Sequence, residues 1–189
     1  MIRTRHNLTE NTWFITFTCF DWIPLFEITN SYHLVYNWLK VIDQKYQIKT
    51  LAFVIMPNHV HALLQLPASV KSLNTVIANG KRFMAYYLVK QLTNMDQDSI
   101  LNQLSAACTD KEIAKGQLHK VFEPSFDAKP IYTLAFLHQK LDYIHHNPVS
   151  GKWNLCKEFT DYPHSSAAFY HDDKPHSLVT ITDYREFWG

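Results

Sequence analysis

The order of the apolar segments along this chain predicts an α+β sandwich, in which helices pack on an antiparallel sheet. Three runs are rich in β-branched and aromatic residues, as strands are, and they occupy residues 12–20, 49–56 and 59–66. Three longer segments repeat their apolar residues at helical spacing. The chain has 189 residues, of which 47% are hydrophobic and only four are glycine. This composition favours one core-rich domain over residues 1–189.

Composition excludes several classes of protein. The longest apolar runs are far shorter than the roughly 20 residues of a membrane-spanning helix, so no membrane partner is expected. The three cysteines, Cys19, Cys108 and Cys156, are odd in number and widely spaced, which favours a reducing, cytoplasmic location over a disulfide framework. The formal net charge of only +1 indicates that any contact with nucleic acid must come from a local basic patch.

The first half of the chain is predicted to form a strand, a helix and then a pair of strands. The helix covers about residues 29–45, and Pro57-Asn58 offers a tight connection after the strand 49–56. Residues 59–66 are a third strand or an extension of the second. The buried stripe of the helix consists of apolar residues at helical spacing: Leu34, Val35, Trp38, Leu39 and Ile42.

The second half contains two further helices separated by a polar segment. Ser72 is a suitable N-cap for a helix over residues 73–93. Residues 94–120 are polar with weak periodicity, which indicates a loop-rich insertion with one short helix at about residues 109–115. The buried face of the first helix is predicted to contain Val76, Ile77, Phe83, Leu88 and Leu92.

A short strand and a last long helix are predicted to follow. The strand occupies about residues 121–127, and Pro130 opens the helix. Pro148 disfavours helical geometry at Asn147, so the helix ends at about residue 146 or 147. A C-terminal extension begins after about residue 150. The inward residues of the helix are Leu134, Phe136, Leu137, Leu141 and Ile144.

His59 and His61 are the residues of greatest chemical interest. Residues two apart on a strand point to the same face of the sheet, so both imidazoles would converge on one point. Imidazole is a common metal ligand, so the pair is a candidate divalent metal site. From the spacing alone, a hydrogen-bonded structural pair is the commoner outcome, and both alternatives stay open.

The segment around Tyr143 supplies a candidate nucleophile and further candidate ligands. Residues three and four apart on a helix share a face, so Tyr143 and Asn147 project together. A tyrosine hydroxyl can act as a nucleophile, but its ordinary pKa of about 10 requires help from a nearby cation. The Asn147 carbonyl oxygen could be a third metal ligand, with His146 as its rival. Spacing alone favours the structural alternative, with Tyr143 at the core edge and Asn147 as a helix C-cap.

Two motifs together resemble a known family. Met56-Pro57-Asn58-His59-Val60-His61 is similar to the His-hydrophobic-His metal motif of the single-tyrosine HUH transposases. Asp142-Tyr143-Ile144-His145-His146-Asn147-Pro148-Val149 resembles the tyrosine helix of their subgroup, the REP-associated tyrosine transposases. Residues 13–17, 81–83 and 162–167 also match. The resemblance therefore covers roughly residues 10–170 in the right order.

The resemblance implies a ferredoxin-like fold of the HUH endonuclease type. It also implies that His59, His61 and Asn147 are metal ligands and that Tyr143 is the nucleophile. Members of the family cut single-stranded DNA, usually beside a hairpin, and transfer strands through a 5′-phosphotyrosine intermediate. Mg²⁺ or Mn²⁺ is the expected cofactor, and two imidazoles favour Mn²⁺ on ligand grounds. The resemblance leaves open whether the protein acts as a monomer or as a homodimer.

The densest basic pairs near the motifs are candidates for phosphate contacts in a DNA-binding groove. The structural alternatives are a frayed N-terminus and a solvated helix face. The chain departs from the family at Phe122-Glu123, where many relatives carry a Trp-Gln pair, and the segment 94–120 matches no family motif. The candidate nucleic-acid-binding residues are Arg3, Arg5, Lys81 and Arg82.

Two other functions are compatible with the sequence. One is a hairpin-specific DNA-binding regulator that keeps the fold of a transposase but does not cleave DNA. The other is a metallohydrolase that uses the two histidines with Asp127 or Glu123, and Tyr143 as a substrate contact. Metal-dependent nicking of single-stranded DNA would exclude the first function, and a covalent protein–DNA adduct would exclude the second.

Overall fold

The computed structural model describes residues 11–189, and at its centre is a sheet of four antiparallel strands. Their spatial order is β2-β3-β1-β4, because β1 pairs with both β3 and β4 while β2 pairs with β3. The predicted antiparallel sheet is therefore confirmed, and the histidine pair lies on a strand of its own. The strands are β1 (Thr12–Thr18), β2 (Lys49–Ile55), β3 (His59–Gln65) and β4 (Asp127–Pro130).

Eight α-helices accompany the sheet within residues 11–189. Ser72 caps the third helix as predicted, since its Oγ accepts a hydrogen bond from the Thr75 backbone N–H at 3.2 Å. Thr133 caps the sixth helix in the same way, with the Phe136 N–H as donor at 3.2 Å. The helices are α1 (Leu25–Ile28), α2 (His33–Tyr46), α3 (Leu73–Asn94), α4 (Asp98–Ala106), α5 (Asp110–Ile113), α6 (Leu134–His146), α7 (Ala167–His171) and α8 (Arg185–Trp188).

One face of the sheet packs against α2 and α3. Alternate residues of β1 point to this face, where Trp13, Ile15 and Phe17 are buried in the larger apolar core. Gly80 of α3 lies against Trp38 of α2, and a Cβ at this position would collide with the indole ring. The close approach of the two helices therefore requires glycine. The buried stripe of α2 consists of Val35, Tyr36, Trp38, Leu39 and Ile42.

The opposite face of the sheet packs against α6. Phe14 of β1 points to this face and joins a second, smaller apolar core. Val60 points to the first face, so the alternation along β3 turns His59 and His61 toward α6. The histidine pair and the helix that carries Tyr143 therefore share one side of the sheet. The residues that α6 contributes to this core are Leu137, Leu141 and Ile144.

Two features of α3 and the segment after it differ from the prediction. Phe83 was predicted to be buried but is 66% exposed, and Met84 is buried in its place. Met84 is seven residues after Ile77 and four before Leu88, so it continues their stripe, whereas Phe83 is rotated away from it. The segment 94–120 is also less loop-rich than predicted, because it contains α4 as well as α5.

The positions of the last strand and of the last long helix were wrong by several residues. Pro130 does not open α6 but pairs with Trp13 at the end of β4. A proline is tolerated there because β4 is an edge strand. The helix begins at Leu134, after the Thr133 cap, and it ends at His146 as predicted.

The C-terminal extension covers the free edge of β2. The Ser166 Oγ accepts a hydrogen bond from the Phe53 N–H at 3.0 Å, and the Tyr162 hydroxyl donates one to the Ile55 carbonyl at 2.9 Å. These bonds satisfy backbone groups that an open edge would expose. Within residues 11–189, no helix is both long and apolar enough to cross a bilayer.

Candidate active site

His59 and His61 lie at the centre of the candidate site. Both side chains are buried, and their ring centroids are 4.7 Å apart. Phe14 stacks on His61 from the neighbouring strand, with ring centroids 5.5 Å apart. The two imidazoles therefore converge on one face of the sheet, as the His-x-His spacing predicted.

One nitrogen of each imidazole is already engaged by a neighbouring side chain. His61 Nδ1 and Thr16 Oγ1 form a hydrogen bond of 2.6 Å, and His59 Nδ1 donates to Asn58 Oδ1 at 2.7 Å. Such bonds fix the orientation and tautomer of metal-binding histidines. His61 Nε2 is buried and makes no hydrogen bond to any described residue. When Nδ1 carries the proton, this Nε2 keeps a free lone pair.

Burial keeps both imidazoles neutral at neutral pH. It lowers the pKa of His59 to about 4, against an opposing contact with the Asn147 side chain and with a further contribution from the Lys152 charge. Burial also lowers the pKa of His61 well below its ordinary value, and His59 and Lys140 act in the same direction. The neutral form is the one that can bind a metal ion.

Asn147 directly follows α6 and turns its side chain toward the histidines. The residue is buried, and its Oδ1 makes no hydrogen bond of normal geometry within the described part of the chain. His146, the rival candidate, is exposed. Its Nδ1 bonds to the Asp142 carbonyl at 3.0 Å, and its ring packs on Phe159 with centroids 4.2 Å apart. The structure therefore favours Asn147 over His146 as the third candidate ligand.

Tyr143 lies one helical turn before Asn147, beside the same histidines. Its ring centroid is 5.0 Å from that of His61 and 6.0 Å from that of Phe14. The side chain is 48% exposed, so it combines contact with a buried imidazole and access from solvent. This combination suits a nucleophile that must meet a large substrate.

Two lysines near the site were missed by the sequence analysis. Lys140 Nζ lies 5.5 Å from the ring centroid of Tyr143 and 4.8 Å from that of Phe14. Lys152 lies 5.2 Å from the ring of Trp153, which in turn contacts His59 at 6.3 Å between centroids. Lys140 is three residues before Tyr143, so helical spacing alone could have found it. No repeat in the sequence could have identified Lys152, because it lies in irregular structure.

The turn after β1 also lies against the site. Asp21 and Trp22 both adopt left-handed backbone conformations, with φ of 51° and 56°. Aspartate tolerates this conformation, whereas it costs a bulky residue such as tryptophan ~1–3 kcal/mol. The Trp22 carbonyl accepts a hydrogen bond from Asn58 Nδ2 at 2.7 Å. The Glu123 carboxylate accepts one from the Asp21 N–H at 3.1 Å. The Glu123 side chain therefore stabilises this turn at the position where the family pattern differs.

The predicted DNA contacts fall into three groups. Arg3 and Arg5 lie outside the described residues. Lys81 donates to the backbone carbonyls of Glu123 and Ser125 at 2.5 and 3.2 Å, so its ammonium group is committed to the protein in this structure. Arg82 is exposed on α3, where its guanidinium group lies 5.1 Å from the ring centroid of Phe83.

A divalent metal ion needs several donor atoms that converge on one point. The described residues contain no group of three His, Cys, Asp or Glu side chains that could hold one. The amide oxygen of Asn147 supplies a third donor atom beside the two imidazoles. Among the described residues, His61 Nε2 makes no hydrogen bond and Asn147 Oδ1 makes none of normal geometry, and both residues contact His59. Two imidazoles and one amide oxygen fit a divalent cation with open coordination positions.

Comparisons with known proteins point to the family that the two motifs resemble. The family model described as "Transposase IS200 like" matches residues 28–105. A REP-associated tyrosine transposase of Haemophilus influenzae is 30% identical over 148 residues, which are 77% of this chain and 69% of that protein. A solved structure of a REP-associated tyrosine transposase bound to a REP hairpin matches with a TM-score of 0.62 at 20% identity. That match covers 97% of this chain and 94% of the other.

The four-stranded antiparallel sheet with packed helices is the fold of a solved REP-associated tyrosine transposase, and residues 28–105 match the IS200-like transposase model. Within that class, the chain belongs to the REP-associated tyrosine transposase family. The structural match confirms the predicted α+β fold of this family.

Proposed function

We propose that this protein nicks single-stranded DNA in a metal-dependent reaction and transfers the strand through a 5′-phosphotyrosine intermediate. The observation that carries the proposal is the position of Tyr143, whose ring lies 5.0 Å from the buried imidazole of His61. A solvent-accessible phenol beside a neutral histidine pair is suited to attack on an anionic substrate. An ordinary core tyrosine would be more fully buried.

His59, His61 and Asn147 would hold the metal ion. When bound, Mg²⁺ or Mn²⁺ supplies Lewis-acid stabilisation of the phosphate charge. The imidazole ligands favour Mn²⁺, and the neutrality of both rings removes competition from protons at neutral pH.

Tyr143 is the nucleophile in this mechanism. Its hydroxyl loses a proton to solvent and forms a bond to phosphorus, while the bond from phosphorus to the 3′ oxygen breaks. That oxygen takes up a proton and leaves as a 3′-hydroxyl. The Lys140 cation beside the Tyr143 ring stabilises both the phenolate and the approaching phosphate. The new bond is again a phosphodiester, so attack by another 3′-hydroxyl rejoins a strand without ATP.

We expect the DNA to contact the turn after β1, which lies beside His59, and to extend onto α3, which packs on the opposite face of the sheet. Residues 73–94 contain basic but no acidic side chains, and the aromatic side chains of this helix stand out into solvent. Charge and exposed rings together favour a nucleic-acid strand. One family member was solved bound to a REP hairpin, which supports hairpin DNA as the substrate class. The exposed residues of this face are Arg82, Phe83, Tyr86, Tyr87 and Lys90.

A covalent adduct on DNA tests the proposal directly. The probe is a stem-loop with a randomised single-stranded arm, selected for binding to the Tyr143→Phe protein and then labelled at its 3′ end. With Mn²⁺, the wild-type protein should remain labelled on a denaturing gel, because the 3′ fragment is joined to Tyr143 through its 5′-phosphate. Tyr143→Phe should give no labelled protein. Tyr132→Phe, at an exposed tyrosine beyond the distant end of β4, is the matched control.

The outcomes separate the candidate functions. Adducts that persist in Tyr143→Phe would remove this residue from the role. Tight binding without any cleavage by the wild-type protein would instead support the non-cleaving hairpin regulator. Turnover without an adduct would support a metallohydrolase. The structure disfavours a metallohydrolase. The Glu123 carboxylate already accepts a hydrogen bond from the Asp21 N–H, and Asp127 lies on β4, which is separated from the histidine strand β3 by β1.

We also infer that Tyr143 acts on the site of its own chain, since its ring already contacts His61 of that chain. This inference does not require the homodimer that the family resemblance left open. A mixture of Tyr143→Phe and His61→Ala proteins should remain inactive. Recovery of adduct formation in the mixture would mean that the tyrosine is exchanged between subunits.

A further inference from the structure

We propose that Trp22 is a stacking platform for a nucleobase next to the scissile phosphate, an inference that rests on the nicking function proposed above. Trp22 is 57% exposed, yet its ring makes an edge contact with His59, with centroids 5.6 Å apart. A base stacked on this indole would lie beside the histidine pair. The phosphate next to that base would then be near the metal ligands.

The chain holds Trp22 in place although the ring is not buried. Trp22 does not belong to either apolar core of the described residues, so core packing does not explain its position. Its left-handed backbone is unfavourable for a bulky residue. Conformations of this kind persist where surrounding bonds hold them, and they concentrate at functional sites.

Three hydrogen bonds from separate parts of the chain stabilise the turn. Asn58 donates to the Trp22 carbonyl and also accepts from His59 Nδ1, which links the turn to the histidine. Glu123 accepts from the Asp21 N–H. Gln103 of α4 donates to the Asp21 carboxylate at 3.0 Å.

These bonds give a role to the side chain at position 123 and to α4. The carboxylate of Glu123 replaces the glutamine of many relatives, and α4 belongs to the segment without a family motif. Both hold Asp21, and with it the exposed indole of Trp22. We therefore assign Glu123 and Gln103 as positioning residues for this platform.

The chemistry of the surface specifies a nucleobase as the ligand. Indole is a good stacking surface for every base, and such stacking tolerates sequence variation. Trp153 also contacts His59, at 6.3 Å between centroids, but it packs against the second apolar core. Trp22 is therefore the more accessible of the two indoles. Lys152, next to Trp153 and close enough to influence His59, adds positive charge for a phosphate.

The experiment uses the full chain with Tyr143→Phe, so that binding is measured without cleavage. The probe is the selected stem-loop described above, with 2-aminopurine placed at each nucleotide of its single-stranded arm in turn. Stacking on Trp22 should quench one of these fluorophores. Trp22→Ala should abolish the quenching, Trp22→Phe should keep part of it, and Tyr132→Ala should leave it unchanged.

Removal of the base distinguishes stacking from a purely structural role. An abasic site at the quenched nucleotide should weaken binding to the Tyr143→Phe protein by about 5- to 100-fold. The same abasic site should hardly change the DNA affinity of a protein that also carries Trp22→Ala, because the stacking platform is already absent. The abasic series on the protein with Trp22 intact remains informative even if Trp22→Ala folds poorly. Glu123→Ala should reduce the quenching without abolishing it.

Failure of this inference can be distinguished from failure of the proposed function. If the abasic site weakens DNA binding equally with and without Trp22, or if the quenching survives Trp22→Ala, Trp22 is not the stacking platform. Adduct formation by the wild-type protein would still support the nicking function. A selection that returns no bound DNA would overturn both.

Discussion

Thr16 and His61 are directly opposite each other on β1 and β3, and a hydrogen bond of 2.6 Å joins Thr16 Oγ1 to His61 Nδ1. The bond orients the imidazole so that Nε2 points away from the neighbouring strand into the candidate site. An orienting partner of this kind typically affects metal affinity by about 10- to 100-fold. The central strand of the sheet therefore helps to set the geometry of the histidine pair.

Replacement of Thr16 by valine should weaken Mn²⁺ binding by about 10-fold. Valine has the shape of threonine but cannot bond to Nδ1, so the ring loses its preferred orientation and tautomer. Thr16→Ser keeps the hydroxyl and should bind close to the wild-type level. Isothermal titration calorimetry at neutral pH measures both affinities. Wild-type affinity in Thr16→Val would contradict the role of this bond.

Asn147→Ala should reduce Mn²⁺ affinity by at least about 10-fold, because it removes the only oxygen donor proposed for the site. Asn147→Asp should bind Mn²⁺ at least as tightly as wild type at neutral pH, since a carboxylate is a stronger ligand for a hard cation. His146→Ala should have no effect, as its ring is turned toward Phe159. Loss of binding in His146→Ala, with Asn147→Ala unaffected, would reverse the assignment.

Lys140→Gln should slow single-turnover cleavage by about 10- to 100-fold, because it removes a cation that lies 5.5 Å from the Tyr143 ring. The lysine pKa is lowered by burial and by the neighbouring Lys129 charge. Lys45→Gln, an exposed site on α2, is the control for a general loss of positive charge. Equal rates in the two variants would show that the effect is not local.

Gly80→Ala should destabilise the fold by about 1–3 kcal/mol, because the added methyl group overlaps the Trp38 indole and forces α2 and α3 apart. The intrinsic helix preference of alanine would offset only about 1 kcal/mol of this cost. Asn79→Ala, one residue earlier on the same helix, should change stability by less than about 0.5 kcal/mol. Urea unfolding followed by circular dichroism gives both values. Equal midpoints would mean that the helices can adjust.

Stability should fall as the pH is lowered from about 6.5 through about 4, in part because of His164. Burial lowers the pKa of this residue from 6.5 to about 4 in the folded protein. The unfolded chain therefore binds the proton first as the pH falls through that range. His164→Gln should remove about 1 kcal/mol of this pH dependence, since the ring is partly exposed and solvent screens it. Urea unfolding of the wild type and His164→Gln at pH 7 and at pH 4 measures this dependence in both proteins, and equal dependence would contradict the role of His164.

Sequence predicted the features of the site that depend on local periodicity. The alternation of a strand puts His59 and His61 on one face, and the helical repeat of α6, continued one residue past its end, puts Tyr143 and Asn147 on one side. Ser72 was predicted correctly as a cap because its bond reaches only three residues along the chain. In each case the interacting groups are neighbours in sequence, so backbone geometry alone decides their relation.

Tertiary structure decided everything that joins distant segments. Phe83 satisfies the helical pattern approximately, but the rotation of α3 against α2 selects Met84 for burial. Asp21 and Glu123 are 102 residues apart, and no local period could indicate that the carboxylate stabilises the Trp22 turn. The position of the His146 ring likewise depends on Phe159, which packs against it with ring centroids 4.2 Å apart. Local repeats specify which way a side chain points, whereas the packing of whole elements determines what that side chain meets.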